Sequence, residues 1–180
     1  MFTKWFDTIS KTVIIVIKWG KVDKSGDNST KLLITTMFIG EFHHNLDTKN
    51  RIAIPAKFRP KLGDGAVITR GLDSALTIYP KKEWLELAKK LSSLSIVKAN
   101  SRAFSRFMLS GAMDTVLDKQ GRVVVPDYLK KYASINKKTV IVGLFDKIEI
   151  WSEEKWLKYK TNTEKNSNDI AEKLGEIEVI

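Results

Sequence analysis

Residues 46–55 read LDTKNRIAIP, and residues 117–126 read LDKQGRVVVP. The two stretches share leucine, aspartate, arginine and proline at the same internal positions, 71 residues apart. Each places a polar turn ahead of an alternating apolar run that ends at a proline, and alternation is the period of a half-buried strand. A recurrence at this spacing indicates a duplicated unit, and therefore a repeated surface.

Each copy of the motif has a turn residue that tolerates positive φ. Asn50 in the first copy stands where Gly121 stands in the second, and both residue types enter left-handed backbone conformations more readily than others. Asp47 and Asp118 open the turns, and an aspartate side chain can accept a hydrogen bond from the backbone two residues further on. We therefore expect these four residues to shape the two turns.

The repeat extends well beyond the two motifs. The apolar patterns predict the same element order in both halves: strand, turn, strand, short helix, strand, turn, strand, long helix. Pro60 interrupts the first short helix and predicts that it ends early or bends. We divide the chain into an N-terminal extension, a first half, a linking helix, a second half and a polar tail, which are residues 1–36, 37–94, 95–111, 112–160 and 161–180.

The composition favours an anionic partner. The 180 residues carry a formal net charge of +10, and 43% of them are hydrophobic, enough for a packed core. An excess of positive charge on a small protein favours nucleic acid first and acidic membrane surfaces second. The absence of cysteine excludes disulfides, thiolate zinc sites and cysteine nucleophiles. No apolar run approaches the roughly 20 residues that cross a bilayer, so we expect no membrane partner and a cytoplasmic location.

Residues 1–36 share nothing with the repeat. Six lysines and three aspartates give them a charge of +3, which leaves +7 for residues 37–180. Met37 stands directly where the recognisable body begins. We expect either an extension outside the folded body or a true start at Met37. A membrane-surface anchor around the apolar run at 12–17, or an additional weak strand or helix, is the alternative.

Four stretches together resemble the MraZ family: MFIGEFHHNLDTKNRIAIPAKFR from residue 37, the repeated LDxxxRxxxP, GLFDKIEIW from residue 143, and SEEKWLKY from residue 152. That family consists of bacterial transcriptional regulators of the division and cell-wall gene cluster, related to AbrB-type DNA-binding antitoxins and transition-state regulators. The resemblance covers about residues 37–160. The chain departs from the family pattern at Asn50, where glycine is common, and at Pro60, which breaks a helix that the family continues.

The resemblance implies an α+β, mostly β fold: a double-split β-barrel built from two tandem AbrB-like half-domains with flanking helices. It also implies a homo-oligomeric ring of about eight to twelve subunits. Such rings bind short G-rich direct repeats in double-stranded operator DNA upstream of their own operon, which places the protein at the nucleoid.

The family motif maps here onto Asp47 and Arg51, and onto Asp118 and Arg122. An arginine at the mouth of a strand can present its planar fork to guanine O6 and N7 or to phosphate oxygens. We therefore expect Arg51 and Arg122 to contact DNA, whereas carboxylates facing phosphates would be repelled. The alternative is that each Asp–Arg pair only braces its hairpin.

Other cations accompany the motif. Lys49 and Lys119 lie in the same turns and would add phosphate contacts, unless they are ordinary solvated lysines. Lys98, Arg102 and Arg106 recur at i, i+4 and i+8, which predicts a basic stripe on one helix face. That stripe could grip phosphates or an acidic neighbour in a ring, or it could be a solvated face.

The sequence predicts no enzyme, no metal site and no cofactor. It has no Gly-x-Ser-x-Gly elbow and no phosphate-binding loop. His43 and His44 are adjacent, so on a strand they point to opposite faces. Beside the DNA-binding regulator, two alternatives stay open: an antitoxin-like protein-interaction module of the same fold, and a basic protein of RNA or membrane surfaces.

Overall fold

The structure is a computed structural model that describes residues 37–176. The predictions made for residues 1–36 and 177–180 lie outside the described residues. Within residues 37–176 there are eight strands: β1 Phe38–Asn45, β2 Arg51–Ala53, β3 Ala66–Arg70, β4 Leu76–Pro80, β5 Met113–Thr115, β6 Arg122–Val124, β7 Lys138–Phe145 and β8 Lys147–Ser152. The same residues contain a 3₁₀ turn, Ala56–Phe58, and six α-helices: α1 Arg59–Leu62, α2 Lys81–Ser92, α3 Ala99–Gly111, α4 Asp127–Ala133, α5 Glu153–Lys165 and α6 Ser167–Glu176.

The strands of the two halves share their sheets. Six strands follow the order β1-β7-β8-β4-β3-β5, and β2 pairs with β6 in a separate two-stranded sheet, which we call the ribbon. All of these pairings are antiparallel. The first strand of each half thus pairs with the third strand of the other half, β1 with β7 and β5 with β3. Exchanging the halves leaves the strand order unchanged, so the chain has an internal pseudo-twofold symmetry.

Residues at equal positions in the two copies fill one common core. Ile52 lies opposite Val123 in the ribbon, and both are fully buried. Phe58 and Leu129, which follow Ile52 and Val123 at the same distance along each copy, are fully buried as well. Burial of these side chains removes apolar surface from water on the ribbon's inner face. The polar face of the ribbon, which carries Arg51, is therefore left for other contacts.

The predicted element order is confirmed in both halves, and the α+β class is confirmed. The described strands form an open six-stranded sheet and the ribbon, with no closed barrel between residues 37 and 176, so the double-split barrel stays a prediction. Pro60 lies in the first turn of α1, which follows the 3₁₀ turn directly, and its missing N–H leaves no hydrogen bond broken there. The division of the chain at residues 94, 111 and 160 also stays a prediction.

No helix in the described part of the chain is long and apolar enough to span a bilayer.

Candidate nucleic-acid interface

The first turn, residues 47–50, is held by a single carboxylate. Oδ1 of Asp47 accepts hydrogen bonds from the backbone N–H groups of Lys49 at 2.8 Å and Arg51 at 2.9 Å. Its Oδ2 accepts one from Nε of Arg51 at 2.8 Å. The backbone closes the same turn, because Asn50 donates its N–H to the Asp47 carbonyl at 3.0 Å. Asn50 has a φ of 56°, the left-handed conformation that its residue type predicted.

The second turn, residues 118–121, repeats this geometry. Oδ1 of Asp118 accepts from the backbone N–H groups of Gln120 at 2.9 Å and Arg122 at 3.0 Å. Oδ2 accepts from Nε of Arg122 at 2.8 Å and lies 2.7 Å from its Nη2. Gly121 has a φ of 74° and donates its N–H to the Asp118 carbonyl at 2.8 Å. The four residues expected to shape the turns therefore occupy those places.

The ribbon brings the two turns together. The N–H of Ile54 donates to the Gly121 carbonyl at 2.9 Å, and the N–H of Val125 donates to the Asn50 carbonyl at 2.8 Å. Across the ribbon, Nη1 of Arg122 lies 3.8 Å from Oδ2 of Asp47. The two turns are thus parts of one surface rather than two independent loops.

Hydrogen bonding stabilises the charged form of both carboxylates. The side chain of Arg122, followed by its backbone N–H, lowers the pKa of Asp118 from 3.8 to about 2. The backbone N–H of Arg51, followed by its side chain, lowers the pKa of Asp47. Both aspartates are therefore ionised at neutral pH and offset the charges of their arginines, so the excess positive charge of this surface has to come from other residues.

The two arginines differ in how much of the guanidinium is engaged. Arg122 directs Nε and Nη2 at Asp118 and Nη1 towards Asp47, and its side chain is 24% exposed. Arg51 engages Nε with Asp47, whereas its two Nη atoms have no hydrogen-bonding partner among residues 37–176. The side chain of Arg51 is 28% exposed, so the two arginines differ little in exposure and more in how many of their nitrogens face a carboxylate.

One exposed lysine stands on each turn. Lys49 aligns with Gln120 in the repeat, and Lys119 aligns with Thr48, so the two lysines occupy neighbouring rather than equal positions. All four side chains are exposed, and neither lysine pairs with a carboxylate in the described part of the chain. The turns thus present two unpaired ammonium groups on flexible stems.

The basic stripe of α3 is not brought to the turns. Nη1 of Arg102 donates to the carbonyls of Ile96 at 2.7 Å and Val97 at 2.8 Å, so this arginine holds the loop before the helix. Lys98, the residue before α3, and Arg106 are exposed. Helix α3 packs against β3 and α2, and among residues 37–176 its basic side chains make no hydrogen bond or ion pair with the turns.

Two cationic side chains outside the set predicted from the sequence also contact the turns. Arg59 lies against Gly121, and Lys130 bonds to Asn50. The signal was present in the sequence, because Arg59 and Lys130 are separated by the same 71 residues as the motifs. Between residues 37 and 176 no group of three or more histidines and carboxylates is arranged to hold a metal ion.

The fold and the turns define a class of protein: two interleaved half-domains in one chain, with two Asp–Arg turns on a shared ribbon. The sequence model of a family described as "MraZ protein, putative antitoxin-like" matches this chain twice, at residues 37–107 and 108–176. The chain belongs to the MraZ family, which confirms the resemblance seen in its motifs. The first match begins at residue 37, where those motifs also begin.

The chain is similar over most of its length to proteins named transcriptional regulator MraZ. The one from Clostridium acetobutylicum is 53% identical over 141 residues, covering 78% of this chain and 99% of that protein. The one from Natranaerobius thermophilus is 48% identical over 143 residues, covering 79% and 100%. The one from Desulforamulus reducens is 45% identical over 141 residues, covering 78% and 99%.

Proposed function

We propose that this protein is a sequence-specific DNA-binding transcriptional regulator that contacts DNA with its two Asp–Arg turns. The observation that carries the proposal is the pair of equivalent turns on one ribbon, each with an exposed lysine beside a braced arginine. The names of its relatives support the regulatory role. The net charge of +10 supports an anionic partner.

The side chains of the turns have different roles in DNA recognition. Lys49 and Lys119 neutralise backbone phosphates, which gives affinity without sequence preference and makes binding salt-dependent. The free end of Arg51 reaches a base edge, where a good bidentate contact discriminates by about 1–3 kcal/mol. Asp47 and Asp118 hold the arginines in place and stay off the DNA, because their charge would repel phosphates.

A single chain offers too few phosphate contacts for tight binding. We therefore propose that several copies of the chain bind together as a ring. About eight to twelve subunits on spaced direct repeats make later contacts intramolecular and raise affinity through effective concentration. The motif resemblance supports G-rich repeats in front of the division and cell-wall gene cluster as the target. In this account each subunit is a double-split barrel, has no enzymatic activity, and acts in the cytoplasm at the nucleoid.

A fluorescence anisotropy titration of the full chain tests this function. The duplexes carry several G-rich direct repeats or the same bases shuffled, and the salt concentration is varied. We expect tighter binding to the repeats, and we expect Arg51→Ala to remove most of that preference while Lys158→Ala, an exposed lysine on α5, leaves it unchanged. Equal binding to both duplexes, with no effect of Arg51→Ala, would refute a sequence-reading role.

An antitoxin-like interaction module is the second candidate, because the family description includes that term. The fold argues against it, since the second half supplies the strands that a partner copy would otherwise supply to the first. Failure to bind either duplex would favour this candidate.

A further inference from the structure

The turn of the second half is covered by an arginine of the first half. Arg59 opens α1, is half-buried, and donates from Nε to the Ile54 carbonyl at 2.8 Å. A Cβ atom on Gly121 would overlap Nε and Cζ of Arg59 and would lie 2.6 Å from Nη1. The guanidinium thus occupies the space that any side chain at position 121 would need.

The turn of the first half is covered by a lysine of the second half. Lys130 lies on α4 and donates from Nζ to Oδ1 of Asn50 at 2.8 Å. The amide nitrogen of Asn50 donates to Oδ1 of Asp127 at 2.9 Å, which also lies 3.8 Å from the Lys130 ammonium. The Asn50 side chain is therefore bonded at both ends to the first turn of α4.

These two arrangements are equivalent by position and different in chemistry. Arg59 and Lys130 are 71 residues apart, as are Asn50 and Gly121. Each cation comes from one half and covers the turn of the other. A planar guanidinium fits against a glycine that leaves its face free, whereas an ammonium needs an acceptor, which the amide oxygen of asparagine provides.

We propose that Arg59 and Lys130 are positioning residues that fix the angle at which the two turns project, and that the residue at the left-handed position selects the cation. Their contribution to DNA binding rests on the proposed function. The cross-half brace itself does not, because it is a property of the unliganded chain. Since each brace joins one half to the other, loosening either one changes the spacing between the two turns.

A pair exchange at the second turn tests the brace. Gly121→Asn removes the space for Arg59, and Arg59→Lys added to it recreates the Lys–Asn bond of the first turn, without the carboxylate of Asp127, since Ala56 stands at that position. Arg59 can make room only by giving up its bond to the Ile54 carbonyl. We therefore expect Gly121→Asn alone to lower the melting temperature by about 2–4 °C, the effect of one lost hydrogen bond, and the double variant to recover most of that loss. If the fall in melting temperature of the double variant equalled the sum of the falls of Gly121→Asn and Arg59→Lys alone, the selective pairing would be refuted. Residues that interact should deviate from additivity.

Arg59→Ala provides the matched control for the exchange, because it empties the space against Gly121 and leaves residue 121 unchanged. In that background, Gly121→Asn imposes the same residue change at the same φ of 74° with no guanidinium to displace. A loss for Gly121→Asn as large in the Arg59→Ala background as in the unmodified chain would show that backbone conformation, and not Arg59, accounts for the effect.

DNA binding distinguishes positioning from mere stabilisation. Lys130→Met keeps most of the side-chain volume but removes the bond to Asn50, and Lys130→Gln keeps a donor. At a temperature where all variants are folded, we expect Lys130→Met to reduce the preference for repeats over shuffled duplex about tenfold, the equivalent of one good base contact. Lys130→Gln should retain more of it, and the salt dependence of both should stay that of the unmodified chain.

The possible results separate the two proposals. If the unmodified chain shows no preference for repeats, the proposed function and the positioning role fail together, and the brace is judged by the melting temperatures alone. If the unmodified chain prefers repeats and Lys130→Met keeps that preference in full, the positioning role is refuted while the function stands.

Discussion

Gly143 lies on strand β7 of the second half, where it passes close to strand β1 of the first. It is paired in register with Gly40, so two glycines face each other across the junction between the halves. A Cβ atom on Gly143 would lie 2.5 Å from the backbone nitrogen of Ile39 and from the carbonyl carbon of Phe38, and 2.8 Å from Cζ of Phe58. We therefore predict that Gly143→Ala is strongly destabilising.

The size of the effect follows from what the new methyl group meets. Inserting a methyl into a packed interior costs typically about 1–3 kcal/mol. At Gly143 two of the three obstructing atoms belong to the backbone, and the third belongs to the fully buried ring of Phe58, so none can rotate away. We expect the upper end, about 3 kcal/mol, and a fall of about 6–12 °C in melting temperature for a chain of this size.

Urea unfolding followed by circular dichroism measures this loss at one fixed protein concentration. Gly175→Ala is the control, because Gly175 lies in α6 and a Cβ atom there meets nothing within 4 Å. That substitution should change the free energy of unfolding by less than about 0.5 kcal/mol, because Gly175 lies next to the end of α6. If Gly143→Ala unfolded within about 0.5 kcal/mol of the unmodified chain, the close approach of β1 to β7 would be wrong.

Three further predictions concern the turns and the ribbon. The pKa of Asp118 is lowered from 3.8 to about 2, so its stabilising effect is complete above the ordinary value and disappears as the pH falls through about 2. Asp118→Asn should make the melting temperature depend less on pH in that acidic range. An unchanged pH dependence would contradict the hydrogen bonds between Asp118 and Arg122. Lys49→Ala and Lys119→Ala should each reduce the slope of log affinity against log salt by about 1 for every subunit that engages the DNA, and an unchanged slope would exclude the phosphate contact. Ile52→Ala should lower the free energy of unfolding by about 2–5 kcal/mol in urea, because Ile52 is fully buried. A loss well below that range would mean that the ribbon does not cover the core.

The local geometry of the turns could be predicted from the sequence because its causes are local. Asp47 and Arg51 are four residues apart, and an aspartate that opens a turn finds the backbone N–H groups it bonds within that distance. Asn50 and Gly121 were expected to enter positive φ, and both do. The element order followed from the same kind of information, since each strand and helix has its own apolar period.

The pairing of elements could not be predicted in the same way. The repeat indicates which residues are equivalent, such as Ile52 and Val123. It does not indicate that these two residues lie opposite each other in the ribbon. Exchange of the first strands between halves is a long-range choice that no local pattern encodes. Arg59 and Lys130 were missed for this reason, because the turn that each one covers belongs to the other half.

The basic stripe shows the limit of helical spacing as a guide. Lys98, Arg102 and Arg106 have the spacing of one helix face, yet Arg102 turns back to the carbonyls of Ile96 and Val97. A long guanidinium side chain near a helix start can satisfy loop carbonyls that lack other partners. Spacing alone does not distinguish that role from a cationic surface.

The central claim is that both turns of one chain face DNA, and tethered cleavage tests it most directly. The chain has no cysteine, so a single introduced cysteine carries an iron–EDTA group at one chosen point. Thr48→Cys and Gln120→Cys place it on the first and second turn, and Lys158→Cys places it on α5, all at exposed positions. We predict cleavage of the repeat duplex from both turns and none from position 158. Cleavage from position 158, with none from either turn, would contradict the account.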